Sequence, residues 1–373
     1  MRIGRNAPCW CGSGLKYKRC HLRREHEPPV GHQEIIDRIR DAEAGCGCLH
    51  PEAPENCSGE AIQSHSITRS GGLSEIAEEG HVMTFYADYG VFLRTDGDVE
   101  PRRVGIRKAS SFPAFCSYHD SFTFGPVEKG PYSPCEMHAF LTSYRALCRE
   151  LFVRMRAGEW ADLDRGMPPV AQVEFQQAAS AKEAERLLAL RSLYLLKTDY
   201  DSALRALDFS RMNFYSIELA GAPDVMVSSL FAPFANFRGE RIRHTDVLGT
   251  KNDHMIVSLF ASGAKGWFQL AWLGESKAGL KFTQSFAELP DDQMPHAIVR
   301  LVFSHFENRY FRPSWWKSLP ANYQEVLHRR FWNPQNPFAS KRETYLQDDG
   351  LRLVNWRIVA RTTNIDLEGR TAN

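Results

Sequence analysis

The fold class depends on two neighbouring runs of apolar residues, Met255-Ile256-Val257-Ser258-Leu259-Phe260 and Trp267-Phe268-Gln269-Leu270-Ala271-Trp272. The segment between them, Ser262-Gly263-Ala264-Lys265-Gly266, is typical of a turn that joins antiparallel strands. An earlier run, Tyr215-Ser216-Ile217-Glu218-Leu219, also has a period of two. We therefore predict an antiparallel β domain over residues 207–345.

Helical periodicity precedes and follows these strands. Residues 136–158 and 171–206 carry apolar positions at helical spacing, with charged residues opposite them. We predict that they form an antiparallel helix pair, a helical connector over residues 134–206. Two shorter amphipathic stretches, about residues 294–306 and 320–331, are expected to cover one face of the sheet. The predicted fold class is α+β, with flanking helices on the C-terminal β domain.

Breaks in composition divide the rest of the chain. Residues 1–24 are basic and rich in cysteine, and the prolines that follow in residues 25–29 predict a stiff linker. A short helix is expected near the start of the next module, residues 34–133, which otherwise alternates loops with short β-rich runs. The last stretch, residues 346–373, is predicted to be a polar tail.

Composition and charge exclude several classes of protein. The chain has 373 residues and a net charge of +1, so any affinity for nucleic acid or membrane must be local. It has no run of 18 apolar residues and a polar start, which predicts no membrane span, no cleaved signal peptide and a cytoplasmic location. It also lacks a Walker loop, a dinucleotide fingerprint and a nucleophile elbow, so nucleotide-driven chemistry is not expected.

The cysteines are crowded towards the N-terminus, with seven of nine in the first 116 residues. In a reducing compartment this crowding indicates metal binding rather than disulfides. The first group places four ligands within 13 residues: Cys9, Cys11, Cys20 and His21. These can close a tetrahedron around zinc, and a unit this short has no other core. We therefore predict that metal binding and folding are one event in this unit.

The stretch Gly4-Arg5-Asn6-Ala7-Pro8-Cys9-Trp10-Cys11-Gly12-Ser13-Gly14-Leu15-Lys16-Tyr17-Lys18-Arg19-Cys20-His21 resembles the SEC-C motif, which is found at the C-terminus of the bacterial secretion motor ATPase and in many other proteins. The resemblance implies a structural zinc on the four ligands just named. It also implies a non-catalytic module that docks onto the secretion chaperone, ribosomes or anionic lipid.

Basic residues surround this motif, and no acidic residue precedes Glu25. They are Arg2, Arg5, Lys16, Lys18, Arg19, Arg23 and Arg24. A patch of this kind favours an acidic surface on a protein, an RNA or a lipid headgroup. The alternative is that the charges only keep the unit in solution.

A second group of metal ligands is spread through the next module. Its members are Cys48, Cys57, Cys116 and His119, and Cys46 competes with Cys48 for the first position. Two separated pairs of this kind predict a zinc site of the treble-clef type. The alternative is that the thiols are buried and free, since free cysteine behaves as a small hydrophobic residue.

Residues 46–125 resemble a divergent HNH nuclease motif. The resemblance lies in Ser64-His65-Ser66-Ile67-Thr68-Arg69-Ser70-Gly71-Gly72-Leu73 and in Ser111-Phe112-Pro113-Ala114-Phe115-Cys116-Ser117-Tyr118-His119-Asp120. In that family a His lies on the first hairpin strand, a Gly-Gly turn follows, and an Asn and a metal-binding His flank the returning zinc knuckle. The same stretches also resemble an uncharacterised family of bacterial proteins, which implies no activity.

The HNH resemblance implies roles for three side chains. His65 would be the general base that activates water, which suits the pKa of imidazole. Ser111 stands where an orienting Asn is usual, and Asp120 where a second metal-binding His is usual. Cleavage would also require Mg²⁺ or Mn²⁺, which prefer oxygen ligands. The insertion after the Gly-Gly turn offers three such carboxylates: Asp88, Asp96 and Asp98.

This module also departs from the HNH pattern. Ser64 replaces the usual metal-binding Asp or His, and about 40 residues separate the Gly-Gly turn from the returning knuckle. The alternative interpretation is therefore a structural treble clef, in which His65 is a zinc ligand or a hydrogen-bonded core residue.

The sequence leaves two hypotheses for function. The first is a metal-dependent endonuclease that cleaves DNA or RNA, for which a defence or toxin role fits the architecture. The second is a non-catalytic zinc adaptor that docks through the SEC-C-like unit onto a ribosome, a chaperone or another acidic partner. Substitution of His65 separates them, because only the nuclease needs that side chain for activity.

Overall fold

A computed structural model of the chain describes residues 3–43, 47–85, 100–156, 162–242, 253–332 and 343–367. The described residues contain eight α-helices: α1 His32–Glu43, α2 Ser117–Glu128, α3 Glu136–Arg156, α4 Pro169–Ala206, α5 Lys277–Ala287, α6 Met294–His305, α7 Pro313–Ser318 and α8 Ala321–Trp332. They also contain ten strands: β1 Ala61–His65, β2 His81–Thr84, β3 Arg102–Gly105, β4 Ser111–Cys116, β5 Met212–Leu219, β6 Val225–Phe231, β7 Met255–Ser262, β8 Lys265–Leu273, β9 Arg309–Phe311 and β10 Ile358–Thr363. The fold is thus a mixture of helix and sheet.

The strands form two antiparallel sheets. One is the pair β1–β4, and the other has eight strands in the order β10-β5-β8-β7-β6-β9-β2-β3. The hairpin that we predicted between β7 and β8 closes with Ser262 opposite Lys265. Gly263 begins the turn with a φ of +62°, a conformation that glycine adopts without steric cost.

Both faces of the large sheet are covered. Tyr215, Val257 and Phe268 pack with α5, α6 and α8 in one core, in agreement with the predicted helical cover. Phe214 and Ile256 point to the opposite face and pack with α3 and α4 in a second core. Alternating side chains therefore serve two cores, because successive residues of a strand point to opposite faces.

The predicted helical connector lies on this second face. Helix α3 contacts β5, β6, β7 and β8. The pair is antiparallel, because the ring of Phe140 packs against that of Tyr200 near one end, while the carbonyl of Arg154 accepts a hydrogen bond from Arg186 near the other. The helices are thus a layer of the fold rather than a link between separate bodies.

The large sheet extends beyond the β domain that we predicted for residues 207–345. Strands β2 and β3 come from the predicted zinc module, and β10 comes from the predicted polar tail. The sequence of β10, Ile358-Val359-Ala360-Arg361-Thr362-Thr363, does not alternate apolar with polar residues, and all but its first residue are exposed. An edge strand is held by its backbone hydrogen bonds on one side, which do not require a buried apolar face.

None of the helices in the described parts of the chain is long and apolar enough to cross a membrane.

Candidate metal centres

The first cluster brings together the four residues that the sequence singled out. The ligand atoms of Cys9, Cys11, Cys20 and His21 all lie within 4.8 Å of one another. Sγ of Cys9 is 3.2 Å and Sγ of Cys20 is 3.1 Å from Nδ1 of His21. Sγ of Cys11 is 3.5 Å from Sγ of Cys20. Three sulfurs and one imidazole nitrogen thus face a common centre.

Local backbone structure builds this cluster. The N–H of Cys9 donates to the carbonyl of Leu15, which folds the chain back after the first two cysteines. Gly12 and Gly14 adopt positive φ inside this turn. A short 3₁₀ helix, Tyr17–Arg19, then delivers Cys20 and His21 to the same side. The glycines and the tight helix explain how ligands so close in sequence reach one point.

The outer nitrogen of His21 is held by a residue that sequence reasoning missed. Nε2 of His21 lies 2.8 Å from Oδ2 of Asp164, whose side chain is fully buried. Oδ2 also accepts a hydrogen bond of 2.8 Å from Gln176, and Nε of Arg24 lies 2.6 Å from Oδ1. No local signal identifies Asp164, because 143 positions separate it from His21.

A basic surface lies outside the first cluster. Its five exposed cations make no ion pair within the described part of the chain: Arg5, Lys16, Lys18, Arg19 and Arg23. Leu15 lies among them and is 50% exposed. Arg24 instead faces Asp164. Five residues of the predicted basic patch therefore form an exposed surface, whereas Arg24 points inward and pairs with Asp164.

The second cluster contains Cys48, Cys57, Cys116 and His119, whose ligand atoms also lie within 4.8 Å of one another. Nδ1 of His119 lies 3.4 Å, 3.6 Å and 3.3 Å from the sulfurs of Cys48, Cys57 and Cys116 in turn. Cys48 thus lies in the cluster, and the alternative, Cys46, lies outside the described residues.

The second cluster is anchored in the centre of the fold. Cys116 ends β4 and caps α2, because its sulfur accepts a hydrogen bond from the N–H of His119. The carbonyl of Leu49 accepts a hydrogen bond from Nζ of Lys197 on α4, and the N–H of Leu49 donates to Ala114 on β4. Strand β4 and helix α2 thus position Cys116 and His119, and contacts of Leu49 with β4 and α4 position the neighbouring Cys48.

The thiols of the second cluster have different proton affinities. Burial alone would raise the pKa of Cys116, but hydrogen bonds from His119 and Ser58 lower it to about 6. Burial and the neighbouring Cys48 raise the pKa of Cys57 to about 12. Thiolates this close together repel one another, and a divalent cation offsets that repulsion.

The outer side of His119 differs from that of His21. Its Nε2 lies 3.9 Å from a carboxylate oxygen of Glu52, whose side chain is half exposed. The ring stacks on His50 with centroids 4.0 Å apart. Burial lowers the pKa of His50 to about 4, and the charge of His119 acts in the same direction. Packing rather than a direct hydrogen bond therefore orients this imidazole.

The donor sets suit zinc in both clusters. Three thiols and one imidazole are soft or borderline ligands, whereas Mg²⁺ and Mn²⁺ prefer oxygen. Cys9, Cys11, Cys20 and His21 would hold one zinc ion, and Cys48, Cys57, Cys116 and His119 a second. A bound zinc ion would supply cross-links that stabilise the fold, since four protein ligands leave no open position for a substrate.

The residues singled out by the HNH resemblance do not form a metal site among the described residues. His65 and Ser111 are register partners on β1 and β4, but the Ser111 hydroxyl donates to the carbonyl of Lys108. Asp120, on α2, lies 3.4 Å from Nη2 of Arg145. No described group of three His, Cys or carboxylate ligands includes His65 or Asp120. The three carboxylates of the insertion, Asp88, Asp96 and Asp98, lie outside the described residues.

A cavity of about 410 Å³ lies between the second cluster's module and the large sheet. Arg145, Tyr132 and Ser258 line it, together with Phe124 and Phe260. Arg145 is nearly fully buried and donates to Glu128 at 2.6 Å. The Arg145 charge is thus balanced by the carboxylates of Glu128 and Asp120, so the cavity has no excess positive charge from this residue.

Comparisons with known proteins bear on the first cluster. The SEC-C motif family matches residues 5–23. The chain is also similar to protein translocase subunit SecA of Chloroflexus aggregans (strain MD-66 / DSM 9485), with 73% identity over 27 residues. That segment covers 7% of this chain and 3% of the translocase subunit. No solved structure matches the chain significantly. Residues 5–23 therefore carry a SEC-C motif, and its four Cys and His ligands form a cluster compatible with zinc.

Proposed function

We propose that this protein is a zinc-binding adaptor whose SEC-C unit binds an acidic protein surface. This proposal rests on five exposed cations around the first cluster that make no ion pair with any described residue: Arg5, Lys16, Lys18, Arg19 and Arg23. The similarity to a protein translocase subunit supports a protein partner rather than a small-molecule substrate.

The proposed role for zinc is structural. A Cys₃His set leaves no open coordination position, so neither cluster offers a metal-bound water for hydrolysis. The first zinc ion would hold the basic surface in shape, and the exposed side chain of Leu15 would add an apolar contact at its centre. Electrostatic attraction of this kind speeds association and weakens as salt increases.

The test is binding of the full chain to three labelled probes by fluorescence anisotropy or vesicle sedimentation. They are a poly-glutamate peptide, a single-stranded RNA and vesicles of phosphatidylglycerol. The test variant changes all five cations to glutamine (R5Q, K16Q, K18Q, R19Q and R23Q). We expect peptide affinity to fall about tenfold or more, because each exposed charge contributes some tenths of a kcal/mol.

A matched control removes the same charge elsewhere. It changes five exposed cations that lie outside the SEC-C unit to glutamine: Arg191, Lys277, Lys281, Lys317 and Arg357. We expect this variant to bind the peptide as the parent chain does. Equal losses in both variants would assign binding to net charge and contradict the proposal. Tighter binding to RNA or vesicles than to the peptide would also contradict it.

Phosphodiester cleavage at His65 is the second candidate function. Burial lowers the pKa of His65, which favours the neutral ring, and its buried Nε2 has no hydrogen-bond partner among the described residues. A neutral imidazole with a free nitrogen can act as a general base. The contact between Asp120 and Arg145 weighs against this function, because it engages the proposed metal-binding carboxylate.

The test of cleavage uses plasmid DNA and structured RNA with Mg²⁺ or Mn²⁺. Cleavage that disappears in His65→Ala, while zinc content is unchanged, would favour the nuclease. We expect no cleavage of either substrate and an unchanged zinc content in His65→Ala, because His65 belongs to neither cluster.

A further inference from the structure

We propose that Asp164 is a positioning residue for the zinc ligand His21, and that it couples zinc binding in the SEC-C unit to docking of that unit on the body of the protein. The proposal concerns the anchor segment, residues 162–168, which leads into α4. It requires zinc in the first cluster but no acidic partner.

The first argument is the geometry of the His21 ring. Nδ1 faces the three sulfurs, so Nε2 is the nitrogen that can carry the proton and donate to Asp164 at 2.8 Å. A carboxylate in this position fixes the ring orientation and makes the other nitrogen a stronger ligand. Asp164 thus completes a carboxylate–histidine–metal arrangement from a distant part of the chain.

The second argument is the cost of burying Asp164 without its partners. Its carboxylate is fully buried, hydrogen-bonds to His21 and Gln176, and forms an ion pair with Arg24. Two of these three partners belong to the SEC-C unit. If that unit left, the carboxylate would lose most of its stabilisation, so docking and the Asp164–His21 contact support each other.

The third argument is the set of backbone and ion-pair contacts around Asp164. The N–H of Gly166 donates to the carbonyl of Arg24 at 3.0 Å. A side chain at Gly166 would lie 3.1 Å from the carbonyl oxygen of Glu27, so the two segments are closely packed. Asp162 instead makes two contacts of 2.7 Å with Arg38 on α1, outside the SEC-C unit. Asp164 and Gly166 therefore contact the SEC-C unit, whereas Asp162 contacts the helix that follows it.

The test compares Asp164→Asn with Asp162→Asn in the full chain loaded with ¹¹³Cd²⁺. Each Cys₃His cluster should give its own cadmium NMR resonance, and the second cluster serves as an internal control. We expect Asp164→Asn to shift the resonance of the first cluster and to weaken its metal affinity about 10- to 100-fold in a chelator titration. Asp162→Asn should leave the affinity of both clusters unchanged, because Asp162 does not contact a ligand.

A second readout measures docking rather than metal binding. The backbone N–H of Gly166 should exchange slowly in the parent chain, because it is bonded to Arg24. We expect faster exchange at Gly166 in Asp164→Asn and in zinc-free Cys20→Ser. Faster exchange in both variants would show that docking depends on zinc as well as on Asp164. An effect on metal affinity alone would leave the exchange at Gly166 unchanged.

Two results would overturn the proposal. One is an Asp164→Asn variant that holds metal in the first cluster as tightly as the parent chain. The other is equal metal loss from both clusters in Asp164→Asn, which would assign Asp164 to the stability of the whole fold. Failure of the acidic peptide to bind would refute the proposed adaptor function alone and would leave the Asp164 result unaffected.

Discussion

The two Cys/His clusters have the same ligand types but different surroundings. The first lies in a unit with few buried apolar side chains, and its histidine contacts a buried carboxylate from a distant segment. The second lies where β4 meets α2, beside the core that contains Phe115, Phe124 and Tyr144. The same chemistry can therefore stabilise a peripheral unit in one place and the centre of a fold in another.

This difference predicts how far the loss of each metal spreads. Without zinc the first unit has little else to hold it, but the large sheet has its own two cores. Without zinc the second cluster would leave three thiols and a buried imidazole next to one of those cores. We therefore expect a local effect from the first cluster and a global effect from the second.

The largest effect is expected from Cys116→Ser. Cys116 is both a ligand and the cap of α2, so the variant should lose one zinc ion per chain and about 4 kcal/mol or more of unfolding free energy. Urea unfolding and zinc analysis measure both changes. Cys135→Ser is the control, because Cys135 is free and lies outside both clusters. An unchanged zinc content in Cys116→Ser would contradict the assignment of Cys116 as a zinc ligand.

Cys20→Ala should produce a smaller, local effect. We expect the loss of the other zinc ion and of hydrogen-exchange protection over residues 3–26, with the main unfolding transition changed by about 1 kcal/mol or less. Ser13→Ala is the matched control, because the Ser13 hydroxyl lies 3.3 Å from the Cys20 sulfur without being a ligand. If Cys20→Ala lowered the unfolding free energy of the main transition as much as Cys116→Ser does, the two clusters would contribute equally to the stability of the whole fold.

The pH dependence of the unfolding free energy tests a residue of the fold that belongs to neither cluster, His305. Burial lowers the pKa of His305 to about 4, whereas an unfolded histidine titrates near 6.5. The unfolded chain therefore takes up the proton first, and stability present above pH 6.5 is lost as the pH falls towards 4. We expect this loss, on the order of 2 kcal/mol, to be absent in His305→Gln.

The measurement is urea unfolding of both chains at pH 7.5 and pH 5. Acid also protonates thiolates and releases zinc, but this effect is common to both chains. The difference between their pH dependences therefore belongs to His305. Identical pH dependences would contradict the predicted shift of the His305 pKa.

The smallest effect is expected from Glu52→Gln. Glu52 lies 3.9 Å from His119 and its side chain is half exposed, so solvent screens the interaction. We expect the zinc affinity of the second cluster to change by about twofold or less, in a chelator titration beside Asp164→Asn. A loss as large as that in Asp164→Asn would show that both histidines depend equally on a carboxylate.

Regular elements were predicted well from the sequence where apolar residues recur. The predicted helix over residues 136–158 is Glu136–Arg156, and the stretch over 294–306 is Met294–His305. The apolar runs 255–260 and 267–272 lie within strands β7 and β8, as predicted. Local periodicity is sufficient in these cases, because each element buries a complete face of side chains.

The sequence analysis predicted neither β9 nor β10. β9 has only three residues, and β10 is almost wholly exposed and does not alternate apolar with polar residues. Such strands are recruited by backbone hydrogen bonds to a neighbour, which leave no pattern in side-chain chemistry. β9 nevertheless joins β6 to β2, so a short strand decides which parts of the chain share the large sheet.

Cysteine and histidine at short spacing identified the first set of candidate metal ligands from the sequence, and the second set was narrowed to a choice between Cys46 and Cys48. The contacts of Asp164 with His21, of Asp120 with Arg145 and of Cys48 with Cys116 depend on the tertiary structure. Hydrogen bonds and ion pairs act over a few ångströms in space, whereas the residues that make them here lie up to 143 positions apart. Residues this far apart in sequence come into contact only when the chain folds.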